Sequence, residues 1–578
     1  MNLKTVKDLV NYIGIFGKKV ATQMKNADEV YQKFSYNDYQ TNSKLIAAYF
    51  QRVKRMKKGD MVSIYSENCP EWLMAYFGIV YNGLWAVPLD ARLTDIEVKN
   101  LITDCKAKIM FTTPTLYENI SEEPEIMRQI EEFIIFDLVN LGKNVDYDSK
   151  KVKLLSQILD ESRNLDLKEV EVDENDVASL IYTSGTTGNP KGVMLTHKNL
   201  AHQFNNLTKA VPIMQEDIEL SILPLHHTFE FSIELTIFQS GATITYAESL
   251  KPKNMLANIE ETKVTILIGV PLIYEKIYDG IMRQIRSLPI PIKQIIIGLY
   301  YLAMFLNKFT NNKAGKVIFG FLRKKANLNN IKFMISGAAP LNYKVAKGYE
   351  TLGFILLNGY GLTESSPVIS VNRLDRKIKN ESVGLPVPGV QVRIDEPDSE
   401  GNGEILAKGD NIMLGYYKNP KATSEVLSED GWLRTGDIGK IDNEGYIYIT
   451  GRKKNIIVTP GGKNVYPEEI EEEINNSPFV LESLIVGVPE SQYSKGENIY
   501  CYVVPNYEYF DTYGNLTGIK ITEQFIDETI NKIIREVNNK LPEYKRIRGY
   551  RIRREEFEKT STKKIKRFLF SGKDFLNT

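Results

Sequence analysis

Several stretches of this chain carry residue types suited to holding a phosphorylated ligand. Tyr182 to Gly192 follows the apolar run Val177 to Ile181, and within it Thr183, Ser184, Gly185, Thr186, Thr187 and Gly188 mix hydroxyls with glycines and lead to Lys191. Glycine lets backbone N–H groups turn toward an anion, the hydroxyls add donors, and the lysine adds charge, so this loop suits a polyphosphate. It is not a Walker loop, because Gly192 rather than Ser or Thr follows Lys191 and the glycine spacing differs. Asn358-Gly359-Tyr360-Gly361-Leu362-Thr363-Glu364 fails as a dinucleotide fingerprint, since Glu364 occupies the third glycine position. Gly337, Ala338 and Ala339 are small enough for a flat ring to lie against their backbone. Asp437, in Thr435-Gly436-Asp437, can accept from two hydroxyls, and Arg452, after Gly451, can donate.

Such loops need strands and helices to hold them. Met61 to Tyr65 reads as a strand, Pro70 to Asn82 as a helix with apolar Trp72, Leu73, Ala75, Tyr76, Ile79 and Val80, and Leu84 to Leu89 as a second strand. This β-α-β order predicts a parallel sheet flanked by helices, and similar units recur around Val264 to Ile277 and Lys332 to Gly348. From Gly431 to Gly451 the texture changes to Gly, Asp and Asn between short strands such as Tyr446 to Thr450. A fresh unit follows, with helices over Glu468 to Asn475 and Glu523 to Lys540 and a strand over Leu484 to Val488. The expected organisation is α/β, with a large N-terminal domain of parallel or mixed sheets over 1–452 and a small α+β domain over 453–578.

Length supports more than one core, since the chain has 578 residues. Lys+Arg and Asp+Glu both number 73, and this zero net charge argues against a nucleic-acid partner. Cys69, Cys105 and Cys501 are far apart and form no metal-binding pair, which fits a reducing compartment. The first twenty residues lack the pattern of a secretory signal. The longest apolar run, Ile295 to Leu306, is too short for a membrane span and contains Gly298. A cytoplasmic protein is the expectation.

The motifs together resemble the adenylate-forming, AMP-binding superfamily, which includes acyl-CoA synthetases, adenylation domains and beetle luciferases. The resemblance covers about Phe34 to Arg567. It implies that the 183–191 loop grips the pyrophosphate end of ATP, with Thr186 and Glu364 holding Mg²⁺. It implies that Gly337, Ala338 and Ala339 flank adenine, that Tyr360 stacks on it, and that Thr363 reaches the α-phosphate. Asn358, Gly359 and Gly361 complete that segment, and Asp437 and Arg452 hold the ribose. Leu223-Pro224-Leu225-His226-His227-Thr228-Phe229-Glu230 resembles the segment between nucleotide and acyl pockets, with His227 as the motif histidine and Phe231 as the gate of an acyl tunnel. Lys454 falls at the family's hinge, and Gly461, Gly462 and Lys463 fall in the loop that lines the coenzyme A channel. Lys564, beside Lys563, takes the place of the catalytic lysine.

Gly384 to Gly389 and Gly451 to Val458 look more like long-chain fatty acyl-CoA ligases than other branches. The implied reaction is activation of a fatty acid with ATP and Mg²⁺, then transfer to coenzyme A. Two alternatives stand beside it: loading of a carrier protein, and a non-catalytic nucleotide- and lipid-binding protein.

Two basic stretches stand apart. Gly280 to Asn330 holds nine Lys or Arg, no Asp or Glu, and a central apolar run. Basic flanks around an apolar centre suit the surface of an anionic membrane, and a core helix with a solvated basic rim fits equally. Lys545 to Arg567 holds eleven basic and three acidic residues, and either attracts phosphates or forms a solvated face.

Overall fold

The computed structural model describes the chain apart from residue 1 and residues 140–149, 184–189, 311–312, 490–495, 560–564, 571 and 576–578. The chain forms two compact units. The first comprises Met1–Leu341, Val345–Val392 and Ala407–Leu433; the second comprises Asn342–Lys344, Arg393–Leu406 and Arg434–Thr578.

Two large sheets build the first unit. In the nine-stranded sheet, six neighbouring strands run parallel, in the order Leu356–Gly361, Phe333–Ser336, Ile266–Gly269, Ile218–Ser221, Thr243–Tyr246 and Val20–Lys25. The eight-stranded sheet has Met61–Tyr65 at its centre, parallel to Trp85–Leu89 on one side and Ile109–Thr112 on the other. The Pro70–Tyr81 helix touches strands of both sheets. All of its residues are buried, as expected of a helix that is apolar on every side. Local chemistry sets the boundaries of the elements. Ser35, Thr94 and Thr196 cap helices, and each exchanges hydrogen bonds with the residue three positions on, namely Asp38, Glu97 and Asn199. The three cysteines are buried and unpaired.

A four-stranded sheet over Gln391–Asp395, Gly403–Lys408, Leu433–Ile441 and Ile447–Arg452 belongs largely to the second unit. A three-stranded sheet joins it, made of Val480–Pro489, Glu497–Pro505 and Ile547–Ile552. Ile470 and Ile474 of one helix and Ile526, Ile530 and Ile534 of another pack into a single core with that sheet. The second unit thus takes in Arg393–Leu406 and Arg434–Arg452 as well as the residues after Arg452, and the Leu433–Ile441 strand pairs with Ile447–Arg452.

One element corrects the sequence reading. The segment read as a run ending at Leu306 is a helix over Ile290–Thr310, 21 residues long, which meets the length and apolarity needed to cross a membrane. Pro291 lies in its first turn, where a missing N–H breaks no helical bond, and Gly298 does not interrupt it.

Candidate active site

The ends of the glycine-rich loop are fixed by a hairpin. The strands Val177–Thr183 and Lys191–Thr196 pair antiparallel, with Thr183 opposite Lys191. Ser184, Gly185, Thr186, Thr187 and Gly188 lie outside the described residues. Lys191 Nζ sits 4.9 Å from the centre of the Tyr416 ring. The Tyr416 hydroxyl donates to Glu364 Oε1 at 2.7 Å, and Met413 N donates to the Glu364 backbone oxygen at 2.9 Å. Tyr416 therefore joins the lysine of one motif to the carboxylate of another. It is held there because the short Gly415–Tyr416 strand pairs with Lys191–Thr196, placing Tyr416 opposite Val193. Burial and the neighbouring Glu364 push the Tyr416 phenol far above its ordinary range, so it remains a donor. Sequence reasoning missed this residue, and only the pairing of two distant strands reveals it.

The Asn358–Glu364 motif enters the same unit on the Leu356–Gly361 strand, which pairs antiparallel with Val368–Val371. Tyr360 is nearly buried there, opposite Ser370. Gly361 has no substitute, since a Cβ would lie 1.9 Å from the Pro367 oxygen. Thr363 and Glu364 fall in the helical turn Thr363–Ser365. Asn358 is buried, and its amide donates to the Ser382 oxygen at 3.5 Å. A Cβ on Gly359 would meet only ordinary contacts, with Ser370 O at 3.6 Å the nearest. Gly337 faces the ring of Phe229, and a Cβ there would come within 2.8 Å of it, which brings the small-residue turn against the histidine motif. Ala338 adopts φ 68, a left-handed conformation uncommon for a residue with a Cβ, and Ala339 follows it.

His227 caps the Thr228–Ser240 helix, and its ring lies 4.1 Å from that of His226. His226 Nε2 lies 3.3 Å from Asp90 Oδ2. Burial works to raise the Asp90 carboxyl, but hydrogen bonds from His226 and Arg92 outweigh it and hold the group well below the usual range. Phe231 is fully buried, with ring centres 5.8 Å from Trp72 and 4.6 Å from Tyr76. In this conformation the residue read as a gate is packed in an aromatic cluster.

Next to this motif lies a group the sequence did not show. Glu219, Glu230 and Glu234 are all buried, with carboxylate oxygens within 4.8 Å of one another. Glu230 Oε1 accepts from Ile222 N at 3.2 Å, and Glu234 Oε2 accepts from the Tyr246 hydroxyl at 2.7 Å. Burial, then mutual repulsion, pushes Glu219 and Glu230 well above the carboxylate range, and burial raises Glu234 to about 8.

The second unit carries the ribose-type pair. Asp437 and Arg452 stand opposite each other on antiparallel strands, with Arg452 Nε 2.7 Å from Asp437 Oδ1. Asp437 is buried, and its N–H donates to Thr435 Oγ1 at 3.1 Å. Lys454 lies in the turn Lys453–Asn455, where burial, then Arg452, lowers its ammonium. Gly461, Gly462 and Lys463 form an exposed turn between two short strands, closed by Thr459 N on the Lys463 oxygen at 2.9 Å. Gly462 takes φ 71, which favours glycine. Lys563 and Lys564 lie outside the described residues. Their flanks are fixed: Lys559 bridges antiparallel to Ile565 and pairs with Glu482 at 2.8 Å, while Arg567 pairs with buried Glu471.

Among known proteins, the profile described as AMP-binding enzyme matches residues 16–417, and that described as AMP-binding enzyme C-terminal domain matches residues 469–564. A chloroplastic long-chain-fatty-acid–acyl-carrier-protein ligase of Arabidopsis thaliana is 30% identical over 75% of this chain and 68% of its own length. A long-chain-fatty-acid–CoA ligase of Bacillus subtilis is 29% identical over 82% of this chain and 81% of its own. The fold of ATP-bound MatB from Rhodopseudomonas palustris superposes with a TM-score of 0.73, at 24% identity, over 97% of this chain and 98% of that one. With a profile match across most of its length, the chain belongs to the adenylate-forming AMP-binding enzymes.

Proposed function

We propose that this protein activates a long-chain fatty acid with ATP and passes the acyl group to coenzyme A. The observation that carries the reading is the Lys191–Tyr416–Glu364 arrangement, which links a cation and a hard carboxylate through one tyrosine in one unit. The long-chain preference draws support from relatives named for that activity over most of this chain.

The chemistry needs such a pairing because a carboxylate must attack an anionic α-phosphate. Lys191 offers charge to the phosphates, and Tyr416 fixes the Glu364 carboxylate by a charge-assisted hydrogen bond. Glu364, half-buried and held on one oxygen by Tyr416, would hold a divalent ion, with Thr186 the second ligand that the resemblance implies. Mg²⁺ when bound would neutralise phosphate charge and stabilise the in-line displacement. Asp437 accepts from ribose hydroxyls and Arg452 donates to them. Lys564 would neutralise charge during adenylation, and the Gly461–Lys463 turn would receive coenzyme A. A preorganised donor of this kind contributes roughly 10²–10³ in rate.

A second reading rests on the Arabidopsis relative, whose name gives a carrier protein as acceptor. The deciding experiment measures AMP release from ATP and palmitate with coenzyme A, with acyl carrier protein, or with neither, in wild type and Lys564→Ala. AMP release that needs coenzyme A and collapses in the variant, while added acyl-adenylate still becomes thioester, supports the proposal. Release that needs the carrier protein moves the second reading forward. No acid-dependent AMP from octanoate, palmitate, oleate or benzoate overturns both.

A further inference from the structure

The Ile290–Thr310 helix is apolar on more than one side, and much of its apolar surface is exposed. Its buried positions are Ile296, Ala303 and Asn307, spaced seven and four residues apart and so on one stripe. One polar side chain, Asn307, lies on that inward stripe. The Asn307 amide donates to the Glu350 oxygen at 3.0 Å, and its carbonyl accepts from Gly315 N at 3.0 Å. The opposite face carries Tyr301, Leu302, Phe305 and Phe309, and Phe305 and Phe309 are 57% and 74% exposed. A surface helix of a soluble unit normally turns its apolar side inward. Beyond the helix, Val317 and Phe321 are also 81% and 52% exposed. Exposed large apolar side chains in such number on one segment mark a binding surface.

Charge identifies the occupant. No acidic residue occurs from Gly280 to Asn330, while Lys308, Lys313, Lys316, Lys324 and Lys325 are exposed around the patch. A second copy would bring the same positive field and oppose itself. An anionic bilayer offers hydrocarbon for the aromatic stripe and phosphate for the lysines. Arg323 takes no part, because it is buried, stacks 4.5 Å from the Phe354 ring and donates to the Gly353 and Ile331 oxygens. The geometry also fixes the mode. The helix is long enough to span, yet its inner stripe is bonded to the folded unit, and the Tyr300 hydroxyl lies 3.2 Å from that of Tyr278. We infer that this helix lies in the plane of an anionic membrane surface, its outer face in the acyl region and its inner stripe still docked on the protein. The inference stands independently of the acyl acceptor proposed above.

The test is flotation of the full chain with vesicles of phosphatidylcholine, alone or mixed with phosphatidylglycerol. Wild type is expected to float with the mixed vesicles, to do so weakly with the neutral ones, and to be released by high salt. Phe305→Ser/Phe309→Ser and Lys308→Glu/Lys316→Glu are each expected to lower partition roughly tenfold or more. In Phe305→Trp, brominated acyl chains should quench the fluorescence of the introduced indole, which surface adsorption alone would not produce. The inference is overturned if wild type stays in solution with mixed vesicles, if both double variants float like wild type, or if the Phe305→Trp fluorescence is unquenched. Retention of wild type after high-salt and alkaline washing would overturn the in-plane mode, and a stable dimer split by the serine variant would make the patch a protein interface.

Discussion

The three buried carboxylates make the stability of the first unit depend on pH in a direction opposite to most carboxylates. Burial lifts the Glu234 carboxyl from 4.5 to about 8. The folded chain therefore binds this proton more tightly than the unfolded chain, so stability is full below about pH 4.5 and is lost as the pH rises through about 8. That displacement corresponds to about 5 kcal/mol at the alkaline limit. Glu234→Gln removes the titration while keeping an oxygen for the Tyr246 hydroxyl, which donates at 2.7 Å in the native chain. Imperfect replacement of that hydrogen bond costs about 1 kcal/mol. The variant should thus be slightly less stable than wild type in acid and clearly more stable at pH 9, with the two profiles crossing at about pH 5. Amide exchange over the Thr228–Ser240 helix, followed by mass spectrometry from pH 5 to 9, reads the local opening free energy. A difference between variant and wild type that stays constant across this range would refute the assignment, because Glu234 would then not be the titrating group.

Other perturbations probe the remaining joints. Tyr416→Phe removes the donor to Glu364 without changing shape, and ATP-dependent AMP formation should fall roughly tenfold or more, with the loss greatest at low Mg²⁺. Gly361→Ala places a Cβ 1.9 Å from the Pro367 oxygen, so the nucleotide strand must shift, and nucleotide binding by calorimetry should be lost while Gly359→Ala retains part of it. Arg567→Met leaves buried Glu471 without its cation; unfolding of the second unit should be easier by about 3 kcal/mol, and adding Glu471→Gln should recover most of that loss.

Much of the architecture was legible because local rules and tertiary context agree. The strand Met61–Tyr65 and the helix Glu523–Lys540 fall where a short apolar run and 3.6-residue periodicity put them. The glycines Gly361 and Gly337 stood out in the sequence, and each meets a close backbone or ring approach that a side chain would obstruct. Tyr416 was not legible, since its role depends on a two-residue strand pairing with residues more than two hundred positions earlier. The Glu219–Glu230–Glu234 group was hidden for the same reason. Glu230 and Glu234 are one helical turn apart, but only the sheet brings Glu219 beside them.

The Ile290–Thr310 helix shows a further limit, one of sign rather than position. Periodicity shows that apolar residues share a stripe, and it does not say whether protein or lipid covers that stripe. The inward contacts of this helix are set by Asn307, whose amide reaches Glu350 and whose carbonyl holds Gly315. A single polar residue that finds partners inside turns the aromatic stripe outward, because an unpartnered buried amide would cost more than one exposed apolar side chain. Asn307→Leu should therefore weaken the docking of this helix on the first unit although it adds apolar surface. Faster amide exchange across Ile290–Thr310 in that variant would show that the inward hydrogen bonds set the orientation; unchanged exchange would assign it to Ile296 and Ala303 instead.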